Sequence, residues 1–446
     1  MLKRFRIFVL CLQVFLGFAV ASAFAEIERV TPGEAGFDAS KLEAVKNVLD
    51  PLYEDGRIPN YVVILAKDGN VFFSASRGNT AVGGQRAVDE NTVYLMASMS
   101  KPIVSSAIFA LIDDGKLKLE DKLNDFFPVF DQLLVAPGGS FDSAFEEPQR
   151  QITVKDLLTH TSGFTYGESV IGLGDVAKQY DEIGVITGEY SAKSLGENLE
   201  ILAEIPLVAQ PGTSFNYSVS TDILGAIIEK VEEKPLGEAM KDLIFEPLDM
   251  SETGFDSSDF SDSENIAHLY MIPRSGSRPI GRVEGSEIVW KLAGGFDLNA
   301  RAVAPKPGFG RGFDSGGGGL WGSGSDYISY ISMIAAKGLS KKNERVLSES
   351  SVESQTSNLV PGLGLEAFES QFGKAAALMS FGGGFGIKRE SAESSDVDYL
   401  FWGGICNTSF WIDPVDGSVG IFLTHACPGQ YNVGDDLEEI VDKARL

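Results

Sequence analysis

The chain has 446 residues, of which 43% are hydrophobic, and a formal net charge of −26 at pH 7. This length suits one large domain with an insertion, and the apolar content is sufficient for a sizeable core. The strong negative charge argues against nucleic acid and anionic membrane surfaces as partners. A solvated acidic surface accounts for the charge without any partner.

The first 25 residues have the features of a secretory signal peptide. A basic start is followed by an apolar run from Ile7 to Val20 and by small residues around Ala23 and Ala25. We expect cleavage after Ala25 or Ala23, export to the periplasm or the medium, and no membrane attachment of the mature chain. The alternative is a retained anchor helix, although the apolar run is shorter than the ~20 residues that span a bilayer.

The segments behind the signal peptide alternate between helical and extended patterns. Residues 38–56 have helical spacing, with Asp38 or Ser40 as the N-cap. Residues 61–78 alternate as two strands around Asp68-Gly69, which predicts a β-hairpin. A further helix is predicted from near Ser98 to near residue 115.

The rest of the chain completes the prediction of an α+β fold. Helical patterns dominate roughly 116–300, and strands return near the C-terminal end. Strands at both ends predict one antiparallel sheet flanked by helices, with an inserted, mostly helical region between them. Residues 26–446 are therefore expected to form a single domain. The glycine-rich segment 307–319 either borders a pocket or is a surface loop.

Ser98 lies three residues before Lys101 in LMASMSKPIV, and no other Ser or Thr stands three residues before a Lys. Positions three apart share a helix face, so Lys101 can reach Ser98. Backbone N–H groups at a helix N-terminus favour negative charge, and burial would favour the neutral, basic form of Lys101. The pair predicts a nucleophile and its base. The alternative is a helix-capping serine beside an exposed lysine.

Other nucleophile chemistries fit the sequence less well. No Gly-x-Ser-x-Gly pattern occurs, which argues against an α/β-hydrolase. Only His160, His268 and His425 are available for a Ser-His-Asp triad, and His160 is expected to brace a loop. So few histidines also leave no visible metal-binding set. The sequence therefore favours a serine chemistry that needs no histidine, metal or cofactor.

Two cysteines would remain after Cys11 is removed with the signal peptide. Cys406 and Cys427 flank two β-rich runs around a turn near Asp416-Gly417. A hairpin there would bring the two cysteines within reach of a disulfide in an oxidising compartment. Two unpaired strand thiols are the alternative.

Several ordered segments resemble the serine β-lactamase and D,D-peptidase-like superfamily, and most closely its class C-like branch with the family VIII carboxylesterases. They are ASMSKP, ITVKDLLTHTSGFTYG, FNYSVSTDILGAIIEKV, FEPLDMSETGF, GGGGLWGSGSDY and WGGICNTSFWIDP. The likeness runs from about residue 30 to 425. It implies a β-lactamase/transpeptidase-like fold, with Ser98 as the acylated nucleophile and Lys101 helping to remove its proton.

The resemblance also implies roles for two further motifs. Tyr217 matches the tyrosine that activates Ser98 and protonates the leaving group. Trp402-Gly403-Gly404 matches the substrate-binding strand triplet, which is usually Lys-Thr-Gly. The backbone N–H groups of Ser98 and Ile405 would then form the oxyanion hole. Without the other motifs, Tyr217 would be core packing and the triplet an ordinary strand or bulge.

Two departures from the family pattern concern the substrate. Tyr217-Ser218-Val219 stands where Tyr-x-Asn is common, and Trp402 replaces the cation of Lys-Thr-Gly. An indole in place of a charge that binds a carboxylate favours neutral, partly apolar substrates. The chain is therefore expected to be an exported serine hydrolase of small-molecule esters. Its alternatives are a β-lactamase or D,D-carboxypeptidase, and a non-catalytic cell-wall-binding homologue. The natural substrate and the oligomeric state stay open.

Overall fold

The computed structural model describes most of the chain behind the predicted signal peptide. The described residues are 28–184, 193–256, 259–262, 264–271, 281–284, 287–290, 313–363, 378–389, 397–427, 429 and 433–446. For 271, 281–284 and 287–290 the backbone alone is described. The signal peptide predicted at 1–25 and residues 307–312 of the glycine-rich segment lie outside this part.

Helices surround the sheet and fill much of the middle of the chain. In chain order they are α1 Ala39–Leu42, α2 Ala44–Glu54, α3 Ser100–Asp113, α4 Leu123–Phe126, α5 Val154–Leu158, α6 Gly174–Ile183, α7 Leu195–Ala203, α8 Ser220–Glu232, α9 Leu236–Met240, α10 Gly324–Ala335, α11 Glu349–Thr356 and α12 Val433–Ala444. A short 3₁₀ turn, Ala97–Met99, leads into α3. Among the described residues, no helix is both long and apolar enough to cross a membrane.

The strands are short and come mainly from the two ends of the chain. In chain order they are β1 Asn60–Lys67, β2 Asn70–Gly78, β3 Val93–Leu95, β4 Thr253–Gly254, β5 Tyr270–Met271, β6 Gly281–Glu284, β7 Glu287–Trp290, β8 Trp321–Ser323, β9 Met379–Phe381, β10 Gly386–Arg389, β11 Val397–Gly404, β12 Thr408–Ile412, β13 Ser418–Leu423 and β14 Ala426–Cys427. Seven of them form one sheet in the order β2-β1-β13-β12-β11-β10-β9.

Every neighbouring pair in this sheet is antiparallel, and the N-terminal hairpin lies directly beside C-terminal strands. The register pairs Val62 with Leu423 across β1 and β13. In the β1–β2 turn, Asp68 and Gly69 both have positive φ, 52° and 73°, as a two-residue hairpin turn requires. The predicted α+β fold, with a sheet built from both chain ends, is confirmed.

The sheet separates two groups of buried side chains. Along β1, Val62 and Ile64 pack into a cluster that contains residues of α3, α8 and α10, whereas Val63 and Leu65 pack with α2 and α12. Successive residues of a strand point to opposite faces, and both faces of β1 are buried, so the strand is hydrophobic from Tyr61 to Ala66. Helix α3 is buried from Ser100 to Leu111, which carries Lys101 into the centre of the molecule.

Two details differ from the sequence-based expectations. The helix predicted over 38–56 is interrupted at Glu43, and Asp38 is its N-cap because its side chain accepts a hydrogen bond from the Ser40 amide. The predicted helical region also includes the short strands β4 to β7. β4 pairs with β8 and β5 pairs with β14, and both partners are distant in sequence. Local spacing could therefore not reveal β4 and β5.

Candidate active site

Ser98 and Lys101 are brought together at the start of α3. Ser98 lies in the 3₁₀ turn and is partly exposed, whereas Lys101 is only 1% exposed. The Lys101 Nζ atom is 3.3 Å from Ser98 Oγ. Ala97, directly before Ser98, has a φ of 47°, a strained conformation for a residue with a side chain. The turn therefore presents the hydroxyl to the lysine at hydrogen-bond distance.

A second contact fixes the orientation of Lys101. Its Nζ atom donates to the carbonyl oxygen of Gly317 at 2.6 Å. The Gly317 amide in turn donates to Asp222 Oδ1 at 3.0 Å, and Ser315 Oγ donates to the same oxygen at 2.6 Å. Asp222 is buried on α8. The buried Asp222 carboxylate thus fixes the loop around Gly317, and the Gly317 carbonyl oxygen in turn fixes Lys101.

The support from Asp222 is not evident from the sequence. Asp222 stands five residues after Tyr217 in the motif FNYSVSTDILGAIIEKV, whose pattern predicts only a tyrosine followed by an amphipathic helix. A buried polar residue near the start of that helix was the available signal. The glycine-rich segment 307–319 borders the site through Gly317, and most of its described residues are buried, so this part is not a surface loop.

Two tyrosine rings lie against the Nζ atom of Lys101. Nζ is 4.6 Å from the ring centroid of Tyr217 and 5.5 Å from that of Tyr166. Both tyrosines are buried. The structure therefore brings Tyr217 together with Ser98 and Lys101. Tyr166, in LLTHTSGFTYG, had no role in the sequence analysis.

His160 supports the segment that carries Tyr217. Its carbonyl oxygen accepts a hydrogen bond from the Asn216 amide at 2.7 Å, and its ring lies 4.7 Å from the Tyr217 ring. The Nδ1 atom is 3.1 Å from Ser218 Oγ. Burial, helped by the nearby charge of Lys101, lowers the pKa of His160 well below its usual range. A neutral ring braces this loop, as expected.

Trp402 packs beside Tyr217, near the end of β11. Its ring centroid is 5.6 Å from that of Tyr217 and 5.0 Å from that of Phe381. The side chain is largely buried. Trp402, which the resemblance aligns with the cation of Lys-Thr-Gly, therefore places an aromatic ring beside Tyr217.

The end of β11 packs directly on the turn that carries Ser98. A Cβ atom at position 404 would lie 2.5 Å from the Met96 carbonyl oxygen and 3.3 Å from Ala97 Cβ, so only glycine fits there. Gly403 is less crowded, since its Cβ would lie 3.1 Å from the Thr408 carbonyl oxygen. The contact between positions 404 and 97 packs together the two segments that carry Ile405 and Ser98, which are the predicted oxyanion-hole residues.

Cys406 and Cys427 are joined by a disulfide, and their Cα atoms are 4.1 Å apart. They lie just beyond the paired parts of β12 and β13, whose hairpin was predicted from the sequence.

The rings of His160 and His425 form hydrogen bonds with Ser218 and with backbone groups, not with Ser98. Within the described residues, no cluster of three His, Cys, Asp or Glu side chains suits a metal ion.

Comparison with known proteins decides the family. A family model described as Beta-lactamase matches residues 45–442. The chain belongs to the beta-lactamase family. The resemblance inferred from the sequence motifs is thereby confirmed.

Relatives of this beta-lactamase family member include a protein named as an esterase and one named as a putative carboxypeptidase. Esterase EstB from Burkholderia gladioli is 30% identical over 404 residues, which cover 88% of this chain and 93% of the relative. A putative D-alanyl-D-alanine carboxypeptidase from Salmonella typhimurium is 26% identical over 264 residues, or 56% of each chain. The esterase therefore matches nearly the whole length, and the carboxypeptidase about half.

Solved structures agree with this assignment. A structure described as EstCE1, a hydrolase with promiscuous acyltransferase activity, has a TM-score of 0.70 and 25% identity, and the match covers 91% of this chain and 99% of that chain. Simvastatin synthase (LovD) from Aspergillus terreus, unliganded, also has a TM-score of 0.70, at 18% identity, covering 91% and 98%. The second likeness concerns the fold alone.

Proposed function

We propose that this beta-lactamase family member is an exported serine hydrolase that cleaves carboxylic esters through an acyl-enzyme on Ser98. The observation that carries the proposal is the 3.3 Å contact between the Ser98 hydroxyl and the buried amine of Lys101. The full-length likeness to esterase EstB and to the hydrolase EstCE1 supports an ester as the substrate.

Acylation follows from the position of each group. Ser98 Oγ attacks the ester carbonyl carbon while its proton passes to Lys101, and the carbonyl π electrons move onto oxygen. The N–H groups of Ser98 and Ile405 hold that oxyanion. When the C–O bond to the alcohol breaks, the departing oxygen takes a proton through Tyr217, whose ring lies beside the lysine.

Deacylation repeats these steps with water as the nucleophile. Lys101 and Tyr217 take a proton from water as its oxygen attacks the acyl carbon. The second tetrahedral intermediate uses the same oxyanion hole. Its collapse returns a proton to Ser98 Oγ and releases the carboxylic acid. No group beyond this chain's own residues and water is needed to balance the reaction.

The walls of the site favour a neutral substrate. Trp402 packs beside Tyr217 as a second aromatic ring, and the triplet Trp402-Gly403-Gly404 offers no positive side chain for a substrate carboxylate. A penicillin or a peptide ending in D-Ala carries such a carboxylate. We therefore expect esters to be turned over much faster than either. The carboxypeptidase relative keeps peptide hydrolysis as the second candidate.

Intact mass spectrometry tests the proposal. Purified protein is exposed briefly to p-nitrophenyl butyrate and, separately, to a penicillin, with Ser98→Ala treated in parallel. We expect release of p-nitrophenol and a butyryl adduct in the wild type, with neither in Ser98→Ala. A stable penicilloyl adduct or rapid penicillin hydrolysis would favour the second candidate. Absence of any adduct together with absence of p-nitrophenol release would favour a non-catalytic binding protein.

Export is the part of the proposal that depends on the N-terminal sequence. The basic start, apolar run and small residues before position 26 support it. Expression of the full chain followed by mass spectrometry of the periplasmic and medium fractions tests it. We expect a protein that begins at residue 24 or 26. Full-length protein in the membrane fraction would instead indicate a retained anchor.

A further inference from the structure

One short segment, His425 to Cys427, contacts both parts of the chain that carry the predicted oxyanion-hole amides. On one side, the Leu95 amide, three residues before Ser98, donates to His425 Nε2 at 2.7 Å. Nδ1 of the same ring donates to the Ala267 carbonyl oxygen at 3.0 Å. His425 is fully buried, and both of its ring nitrogens are therefore committed to backbone groups.

On the other side, the same segment holds the turn that carries Ile405. The Ala426 amide donates to the Cys406 carbonyl oxygen at 3.2 Å, and the disulfide joins Cys406 to Cys427. The Gly429 amide donates to the Ile405 carbonyl oxygen at 2.5 Å. Ile405 itself is 42% exposed, so its own side chain adds little packing to this turn. The disulfide, these backbone hydrogen bonds and the packing of the buried Cys406 hold the turn.

A small hydrophobic cluster packs between the two sides. It contains Leu95 and Ala97 from the segment before Ser98 and both cysteines of the disulfide, together with Trp321. The Trp321 ring also meets the His425 ring edge to face, with centroids 5.6 Å apart. Packed interiors resist deformation, so this cluster transmits the position of one segment to the other.

We propose that His425 and the Cys406–Cys427 disulfide are positioning residues that set the separation between the Ser98 and Ile405 amides. Two donors stabilise a developing oxyanion only when both lie about 2.7–3.1 Å from the same oxygen. The two amides belong to distant parts of the chain. The segment from His425 to Cys427 is bonded to both parts, through Leu95 on one side and Cys406 on the other. This inference rests on the proposed esterase function.

The first experiment removes the covalent tie with the double variant Cys406→Ala and Cys427→Ala. Active sites are counted by intact mass as the butyryl adduct. We expect kcat/KM for p-nitrophenyl butyrate, per active site, to fall about tenfold, less than the loss of a whole oxyanion donor. Affinity for phenylboronic acid, which forms a tetrahedral adduct with Ser98 Oγ, should fall by a similar factor. Inhibition by butyrate should stay within twofold.

The second experiment tests the hydrogen bond between the Leu95 amide and His425, and it is independent of whether the double variant folds well. His425→Leu removes the acceptor of the Leu95 amide, whereas His425→Gln keeps an acceptor near the Nε2 position. We expect His425→Leu to show the same parallel loss of kcat/KM and boronic acid affinity. His425→Gln should recover most of both. His268→Gln, a half-buried histidine on the neighbouring segment, is the matched control and should match the wild type.

The outcomes separate this inference from the function on which it rests. If the wild type hydrolyses no ester, the proposed function fails and the inference fails with it. If the wild type is active and the variants keep its kcat/KM per active site, the positioning role alone is wrong. Fewer titratable sites at unchanged kcat/KM would indicate a purely structural disulfide and histidine, and would also overturn the inference.

Discussion

Ser98 and Lys101 contact each other within one short segment, whereas the residues that support them come from distant parts of the chain. Ser98 and Lys101 were predictable because both belong to one short segment with a fixed spacing. Asp222 was not, since its role depends on a hydrogen bond to Gly317 from a distant part of the chain. The same holds for His425 and Leu95. Tyr217 was identified only through its family resemblance, because an isolated buried tyrosine resembles core packing.

Loss of the Asp222 charge should disturb Lys101 through the Gly317 loop. In Asp222→Asn the carboxylate that accepts from Ser315 Oγ and the Gly317 amide becomes a neutral amide, and hydrogen bonds to charged groups are the stronger kind. We expect kcat/KM for p-nitrophenyl butyrate to fall roughly tenfold. Asp314→Asn is the control, since Asp314 accepts a hydrogen bond from the Gly237 amide and not from Ser315 or Gly317. Equal effects of both changes would contradict a specific role for Asp222.

Gly404 should tolerate no side chain. An alanine there would place Cβ against the Met96 carbonyl oxygen and Ala97, which forces the end of β11 away from the turn that carries Ser98. We expect Gly404→Ala to lower kcat/KM at least tenfold, as measured with p-nitrophenyl butyrate. Gly196→Ala on α7 meets no atom within 4 Å and should keep full activity, with stability raised by up to ~1 kcal/mol. Full activity of Gly404→Ala would show that this contact does not matter.

Elements were predictable where local chemistry decides them. The β1–β2 hairpin followed from Asp68-Gly69, whose residues adopt positive φ readily. The order β2-β1-β13 was not predictable in detail, because strand neighbours are chosen by tertiary packing rather than by local sequence. The extended segment from Thr424 to β14 shows the same limit. The spacing of Cys406 and Cys427 indicated a possible disulfide at this segment. The hydrogen bonds of His425 could not be predicted, because their partners are distant in sequence.

The folded protein should be less stable in acid because of His425, which lies between β13 and β14. Burial lowers the pKa of His425 to about 4, from an ordinary value of 6.5. Above pH 6.5 the ring is neutral in both the folded and unfolded chain. As the pH falls from 6.5 to about 4, only the unfolded chain binds the proton, so the free energy of unfolding falls by on the order of 3 kcal/mol. Below that range this contribution changes no further.

Urea unfolding of the wild type and His425→Gln at several pH values between 4.5 and 7 checks this expectation. The glutamine does not titrate, so the stability of the wild type relative to the variant should decrease as the pH is lowered through this window. Other buried groups contribute equally to both proteins and cancel in the difference. A difference that does not change with pH would show that His425 is not held in its neutral form.

The whole molecule carries a formal charge of −26, and this charge should act on substrates before they reach the site. We expect kcat/KM for p-nitrophenyl butyrate to be nearly independent of salt. For the anionic monoester p-nitrophenyl succinate, kcat/KM should rise severalfold between ~10 mM and ~150 mM NaCl, because salt screens the repulsion. Steady-state kinetics at matched pH measure both. The same salt response for the two esters would argue against a long-range effect of the charge.

The position of β1 in the sheet has a consequence for how the protein is made. β1 leaves the ribosome early, but its partner β13 begins only at Ser418. Until the last strands are synthesised, the hairpin keeps an open, apolar edge, and such edges invite pairing with other chains. A product that stops before β13 cannot close the centre of its sheet, whatever else it contains. Completion of the chain is thus a condition for folding as well as for catalysis, and premature termination should yield aggregates rather than a smaller enzyme.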